Sequence, residues 1–296
     1  MPGKLTIGTA PDSWGVWFPS DPEQVSADVF LREVVEAGYE AIELGPYGYL
    51  PSDPQQLSET LEAHGLSVLA GTVFSHLHRP DAWEAVWSQV TKVAALTQAV
   101  GGEHIVVIPD VWRDHKTGAN LESRDLTDEQ WTALTEGHDE LGRRILEEYG
   151  LHVQFHSHAD SHVGYQPDIE RFLESTNPAY VNLCLDTGHV AYYGGDSVEL
   201  ITSYPERIGY LHLKQVDAQM AARGLADDVS FSQLVRDGIM VEPPSGSPDL
   251  AEVLRVASRL PQDLFAIVEQ DMYPLLDLDA PLPIARRTYT YLSSCL

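Results

Sequence analysis

The feature that most narrows what this chain can fold into is an alternation. Short apolar runs recur along its 296 residues, and each is followed by a longer stretch with helical spacing. Read as strands, the runs are Leu5–Thr9, Ala41–Leu44, Ser67–Thr72, His104–Ile108, His152–Phe155, Val181–Leu185, Ile208–Leu213 and Leu264–Glu269. Helices are expected near 24–37, 54–64, 80–100, 127–149, 167–175, 197–203, 249–259 and 281–293. Val29, Leu31, Val34 and Val35 share one helical face before Gly38, and Val86, Val90, Val93, Ala94 and Leu96 share another before Gly101. Gly38, Gly65 and Gly150 stand where a helix ends and the next strand begins, the usual place for a left-handed cap. Thr127 followed by Gln130 predicts a capping box.

Eight such units in a chain of this length predict one domain over residues 1–296, a (β/α)₈ barrel of α/β class. The competing architecture, a doubly wound open sheet, would place a glycine-rich phosphate turn after the first strand. Gly8-Thr9-Ala10-Pro11-Asp12 is a poor substitute for that turn. Segments 45–53, 109–126 and 214–248 carry no clean pattern. All three follow strands, so a barrel would place them as loops on its catalytic rim.

Charge narrows the partners. Against 18 Lys+Arg stand 45 Asp+Glu, a formal net charge of −27. No basic face is available for counterion release, so no nucleic-acid partner is expected. Anionic membranes are disfavoured for the same reason. Nowhere do about 18 apolar residues run together, so no membrane-spanning helix is expected. The N-terminal stretch offers no apolar segment of signal-peptide length. Two cysteines, Cys184 and Cys295, make no disulfide framework, and a reducing cytoplasm is the expected location.

The chemistry gathers at the carboxyl ends of the last four strands. The fifth ends Phe155-His156-Ser157-His158, the sixth Leu185-Asp186-Thr187-Gly188-His189, the seventh Leu211-His212-Leu213-Lys214 and the eighth Val268-Glu269-Gln270-Asp271. In a closed barrel these ends converge. His156, Asp186, His212 and Glu269 form a mixed nitrogen and oxygen set suited to one divalent metal. The strand period puts His156 and His158 on one face, and likewise His212 and Lys214. Whether His156, His158 or both ligate is open at this level. A protonated Lys214 cannot ligate but can polarise a substrate oxygen. Asp186 alone reads equally as a helix cap, and Glu269 alone as a partner for an arginine. Their coincidence on successive strands is what points to a metal. Of the remaining histidines, His76 and His78 follow the third strand and are the ones closest to a functional position. No nucleophile elbow and no phosphate-binding loop is present.

With these residues in view, a resemblance emerges. Ala10-Pro11-Asp12-Ser13-Trp14-Gly15, Asn182-Leu183-Cys184-Leu185-Asp186-Thr187-Gly188-His189 and Tyr210-Leu211-His212-Leu213-Lys214 resemble the xylose-isomerase-like barrel family. That family holds sugar isomerases and epimerases, inosose isomerases and dehydratases, and endonuclease IV. The resemblance implies one divalent metal held by residues of strands five to eight, with Asp186, His212 and Glu269 matching the last three positions. At the first, His156 stands where the family usually has glutamate. The His-x-His sequence there, with Ile42-Glu43-Leu44-Gly45, is similar to the inosose dehydratase branch. In the epimerases two ligand glutamates carry protons on opposite faces of an enediolate, so losing one weakens a symmetric epimerisation and suits dehydration. The endonuclease branch needs a basic DNA-binding face that this chain lacks.

The expectation is therefore a metal-dependent enzyme acting on a polyhydroxy ketone through an enediolate, in the first place an inosose-dehydratase-like lyase. The alternative on the same site is a keto-sugar isomerase or epimerase, or an inosose isomerase; a binding subunit without turnover is a third class. His156, Asp186, His212 and Glu269 are the expected ligands, and His158, His189, Lys214 and Glu269 the catalytic candidates. Trp14, Glu43, His158 and Lys214 are expected to hold the polyol. The metal is expected to be Mn²⁺ or Co²⁺, with Zn²⁺, Mg²⁺ or Fe²⁺ as alternatives. Such barrels commonly pair, which makes a homodimer an expectation.

Overall fold

The computed structural model describes residues 2–296. Eight parallel strands, β1 (Leu5–Thr9), β2 (Ala41–Glu43), β3 (Ser67–Ser75), β4 (His104–Pro109), β5 (His152–His156), β6 (Val181–Asp186), β7 (Ile208–Leu213) and β8 (Leu264–Val268), close into a barrel in sequence order. Each overlaps one of the eight apolar runs. The barrel shuts where β1 pairs with β8, from Leu5 opposite Leu264 to Thr9 opposite Val268. The helices are α1 (Ala27–Ala37), α2 (Pro54–His64), α3 (Trp83–Ala99), α4 (Asp128–Tyr149), α5 (Gln166–Ser175), α6 (Thr187–Tyr192), α7 (Ser197–Ser203), α8 (Ala218–Ala226), α9 (Phe231–Arg236), α10 (Leu250–Ala257) and α11 (Pro281–Ser293).

Strand parity divides the apolar residues into two cores. Phe155, Leu183, Leu185, Leu211, Leu213 and Val268 face outward into the large cluster shared with the helices. Ala70, Val106, Cys184, Tyr210 and Ile267 form a smaller cluster that fills the barrel. Two residues on from Cys184 is Asp186, from Tyr210 is His212 and from Ile267 is Glu269. The period of two thus carries the inward face of each strand directly to a polar residue at the carboxyl end. Cys184 serves this packing. Its burial pushes the thiol up to about 12, which removes any thiolate chemistry.

Local signals fix the element ends. Gly38, Gly65 and Gly150 adopt positive φ of 107°, 67° and 69° as helix caps, a conformation that costs glycine no Cβ clash. Thr127 and Gln130 form the reciprocal capping box at the start of α4. The segment 214–248 departs from its patternless reading, since α8 and α9 lie within it. Asp217 caps the first by accepting from the backbone of Gln219 and Met220, and Ser230 caps the second from Gln233. α8 buries only Ala221 and Gly224, so small residues replace the apolar stripe that periodicity relies on. α6 also went unrecognised, because it begins directly at the end of β6 with no connecting loop.

Candidate active site

Four strands deliver the central cluster. His156 ends β5, Asp186 ends β6, His212 lies in β7 and Glu269 follows β8, where its backbone N–H donates to the Leu213 carbonyl at 3.2 Å. Asp186 and His212 are register partners across β6 and β7. One donor atom from each of the four lies within 4.8 Å of all the others, and all four side chains are buried. His156 Nε2 is 3.1 Å from Asp186 Oδ2, and His212 Nδ1 is 2.7 Å from Glu269 Oε2.

The hydrogen-bond pattern shows what this cluster fits. The Nε2–H of His212 donates to Glu43 Oε1 at 2.8 Å, since a carboxylate only accepts. Glu43 is itself held by the Thr72 hydroxyl at 3.0 Å. His212 Nδ1 and Glu269 Oε2 are close yet not aligned as a hydrogen bond, and neither has a hydrogen-bond partner, although the Lys214 ammonium stands 2.9 Å from Oε2. A buried ring nitrogen and a carboxylate oxygen aimed at a common point fit a cation site, and a carboxylate fixing the far nitrogen is how metal-bound histidines are oriented. Asp186 divides its carboxylate. Oδ1 caps α6 by accepting from the backbone of Gly188 and His189, both at 2.9 Å, while Oδ2 faces the cluster. It is helix cap and candidate ligand together.

Electrostatics agree. The buried Lys214 Nζ lies 2.9 Å from Glu269, 3.1 Å from Asp186, 3.5 Å from Asp271 and 3.9 Å from Asp12. Asp186, Glu269, Asp271 and Glu43 thus outnumber the Lys214 ammonium and the His212 ring they surround, an excess of negative charge that favours a divalent cation. Burial opposes the charge on Lys214, but Asp186, Asp271, Glu269 and Asp12 outweigh it and hold its pKa well above the usual value. Burial would raise Asp186, but Lys214, His189 and His156 hold it well below the usual carboxylate range. Burial likewise opposes ionisation of Glu269, yet His212 and Lys214 lower it. Asp12 moves the other way, pushed well up by burial and then by Glu269. His212 is held well above the usual imidazole value, because the Cys184 thiol, Glu269 and Glu43 overcome its burial.

A cavity of about 760 Å³ opens over the cluster. His156, His158, His212, Lys214 and Glu269 line its floor, and Trp17, Phe18, Tyr47, Phe74 and Phe231 stand in its walls. His158 donates its Nδ1–H to the Ala159 carbonyl at 2.6 Å, which leaves a lone pair on Nε2. Burial, followed by repulsion from His156, pushes His158 down to about 3, so the ring is neutral.

The sequence-predicted set therefore meets unevenly. His156, His158, His212, Lys214, Glu43 and Glu269 all line the cavity. Asp186 and His189 do not. His189 accepts the Ala159 N–H at 3.2 Å and turns Nε2 towards Asp186 Oδ2 at 3.9 Å, a positioning role. The expectation that Trp14 walls the pocket is corrected. Gly15, at φ 71°, closes a single turn over Pro11–Trp14 that folds the indole back onto α1. There it is fully buried, edge-on to Phe30 at 5.1 Å, with its N–H donating to Glu33 at 2.9 Å. Trp17 takes the wall position, stacked on Tyr273 at 5.0 Å. Sequence reasoning missed Asp12 and Asp271 as site groups. The signal for Asp271 was available, because it shares strand parity with Glu269.

A family model described as xylose isomerase-like TIM barrel matches residues 31–285. The chain belongs to this family. An inosose dehydratase of Bacillus velezensis (strain DSM 23117 / BGSC 10A6 / LMG 26770 / FZB42) is 28% identical over 286 residues, covering 93% of this chain and 94% of the relative. One from Halalkalibacterium halodurans (strain ATCC BAA-125 / DSM 18197 / FERM 7344 / JCM 9153 / C-125) is 29% identical over 277 residues, covering 92% and 89%. Among solved structures, the IolI protein with a bound zinc atom superposes with a TM-score of 0.74 at 18% identity, covering 98% of this chain and 99% of that one. The L-ribulose 3-epimerase structure gives 0.68 at 17%, covering 99% and 94%. At these identities the solved structures bear on the fold.

Proposed function

We propose that this xylose-isomerase-like barrel is an inosose-dehydratase-like lyase that removes water from a cyclic polyhydroxy ketone. The observation that carries the reading is one cavity floor that brings a neutral base, His158, and a fixed cation, Lys214, beside a four-residue metal-binding set. Relatives named inosose dehydratase, alike over nearly their whole length, supply the substrate class.

His156, Asp186, His212 and Glu269 would hold a divalent ion, which we take to be Mn²⁺ or Co²⁺. When bound, it supplies Lewis-acid polarisation of the substrate carbonyl. His158 lines the cavity with Nδ1 held by the Ala159 carbonyl, and its Nε2 lone pair takes the proton from the carbon beside the substrate carbonyl. Lys214 keeps its charge and stabilises the oxygen on which negative charge develops. The electron pair left by the departing proton then forms the carbon–carbon double bond as the β-hydroxyl leaves. Asp12, whose carboxyl is pushed up by burial and then by Glu269, is the group that donates the proton to turn the departing hydroxide into water. Trp17, Phe18 and Tyr47 exclude solvent and pack the C–H faces of the ring.

Incubation of the Mn²⁺-loaded protein with 2-keto-myo-inositol in D₂O, followed by NMR and ultraviolet absorbance, tests this. The expected result is an absorbing dehydrated product. Deuterium incorporation without water loss would replace the lyase by an isomerase or epimerase on the same residues. Neither change would overturn the reading.

A further inference from the structure

Above the barrel floor three loops meet at a second histidine–carboxylate cluster. His78 follows β3, Glu122 lies in the loop between β4 and α4, and His162 follows β5. One ring nitrogen of each histidine and one carboxylate oxygen lie within 4.8 Å of one another. His78 Nε2 is 3.1 Å and His162 Nε2 is 3.2 Å from the same atom, Glu122 Oε1. None of the three lines the cavity, so the proposed lyase chemistry leaves them unused.

The hydrogen bonds around the cluster favour a cation. His162 Nδ1 lies 2.7 Å from the Arg124 carbonyl, which only accepts, so that nitrogen carries the proton. In the neutral ring Nε2 then bears a lone pair, and it points at a carboxylate oxygen. Two lone pairs at 3.2 Å repel unless a positive centre lies between them. The Arg124 carbonyl orients His162 as backbone carbonyls orient metal-bound histidines. His78 is fully buried, with Nε2 turned to the same carboxylate oxygen at 3.1 Å and Nδ1 meeting no partner. The spacings of 3.1 and 3.2 Å match the edge of about 3.3 Å that tetrahedral zinc with 2.0–2.1 Å bonds requires. Arg79 also reaches Glu122 Oε1, at 3.3 Å, but its side chain is half exposed and can swing into solvent.

We propose that His78, Glu122 and His162 form a second metal site, selective for Zn²⁺, with water as the fourth ligand. Its role is to clasp the loop between β4 and α4 to its two neighbours. The first part of that loop is already sewn down, by the Val111–Ser161 bridge and the Trp112 N–H on the Asp160 carbonyl at 2.8 Å. Glu122 anchors the return leg. Val111, Arg113 and His115 of the same loop line the cavity, so the clasp holds one wall of the candidate active site in place.

The test uses the intact chain, stripped with chelator and dialysed against micromolar Zn²⁺. Wild-type crystals are expected to show an anomalous peak at the zinc edge among His78, Glu122 and His162. Metal analysis is expected to find one equivalent fewer in Glu122→Gln than in wild type. Proteolytic nicking within 109–126 is expected to speed up at least about tenfold in that variant and in chelated wild type. No anomalous peak between these residues in zinc-loaded wild-type crystals, or a full metal complement in a folded Glu122→Gln, overturns the proposal. Should Glu122→Gln fail to fold, the wild-type map decides alone. A vacant cluster there means that hydrogen bonds alone join the three residues.

Discussion

The two histidine–carboxylate clusters of this barrel are built on different supports. At the floor, His156, Asp186 and His212 sit in hydrogen-bonded strands and Glu269 is the first residue past one. At the rim, His78, Glu122 and His162 all sit in loops. The floor positions are over-determined: each side chain continues an inward row of its strand, and three of the four have a contact outside the cluster. Asp186 is pinned by α6, His212 by Glu43, and Glu269 by the backbone of β7. The rim cluster depends on one carboxylate that is partly exposed and meets His78, Arg79 and His162 at a single oxygen. Chemistry that must hold a substrate and its base in one geometry belongs on the rigid support, and a clasp can live on the other.

The largest expected effect separates the two clusters. Glu269→Gln removes a floor ligand and is expected to lower kcat/KM by at least about 10³-fold, the loss of several kcal/mol of electrostatic stabilisation. Steady-state kinetics at saturating Mn²⁺ checks it. Asp186→Ala is expected to lose as much activity, and in addition about 1 kcal/mol of stability, because the same carboxylate caps α6. Urea unfolding of the two variants side by side would show whether the cap and the ligand are one group.

A smaller effect comes from packing. The Cβ of an alanine at Gly188 would sit 2.5 Å from Lys214 Cβ. Gly188→Ala is expected to cost about 1–3 kcal/mol and to displace Lys214, with urea unfolding reading the first and kcat the second. Glu43→Gln keeps the fold but loosens His212, and is expected to weaken metal binding about 10–100-fold by titration calorimetry.

Proton linkage gives the smallest and most specific effect. The apo-protein holds His212 well above the usual imidazole value. The protonated ring therefore stabilises the apo-fold at low pH, and that contribution is lost as pH rises through the folded-state value. A metal must displace the Nδ1 proton, so affinity is expected to rise with pH and binding to release protons. Calorimetry in buffers of different ionisation enthalpy reads the release; a buffer-independent heat would mean that His212 does not ligate.

Much of this was legible in the sequence because one periodicity serves both fold and site. The runs that form β6 to β8 alternate between two cores, and following the inward parity to the carboxyl ends lands on Asp186, His212 and Glu269, as it lands on His156 in β5. Legibility fails where position depends on a turn. Trp14 and Trp17 are equally aromatic, and only the left-handed Gly15 between them decides which faces the cavity. His78, Glu122 and His162 are far apart in sequence, and no period links residues that meet through three loops. α8 and α9 were hidden for a related reason, since short helices with small buried residues leave little hydrophobic pattern.

The central claim is that four strand-end side chains hold one divalent ion. Titrating chelator-stripped protein with Mn²⁺, in wild type and Glu269→Gln, tests it most directly. The account predicts stoichiometric binding to the wild type and affinity at least about a hundredfold weaker in the variant. Equal affinity in the two proteins, or a wild type that binds no Mn²⁺ yet turns over substrate, would contradict it.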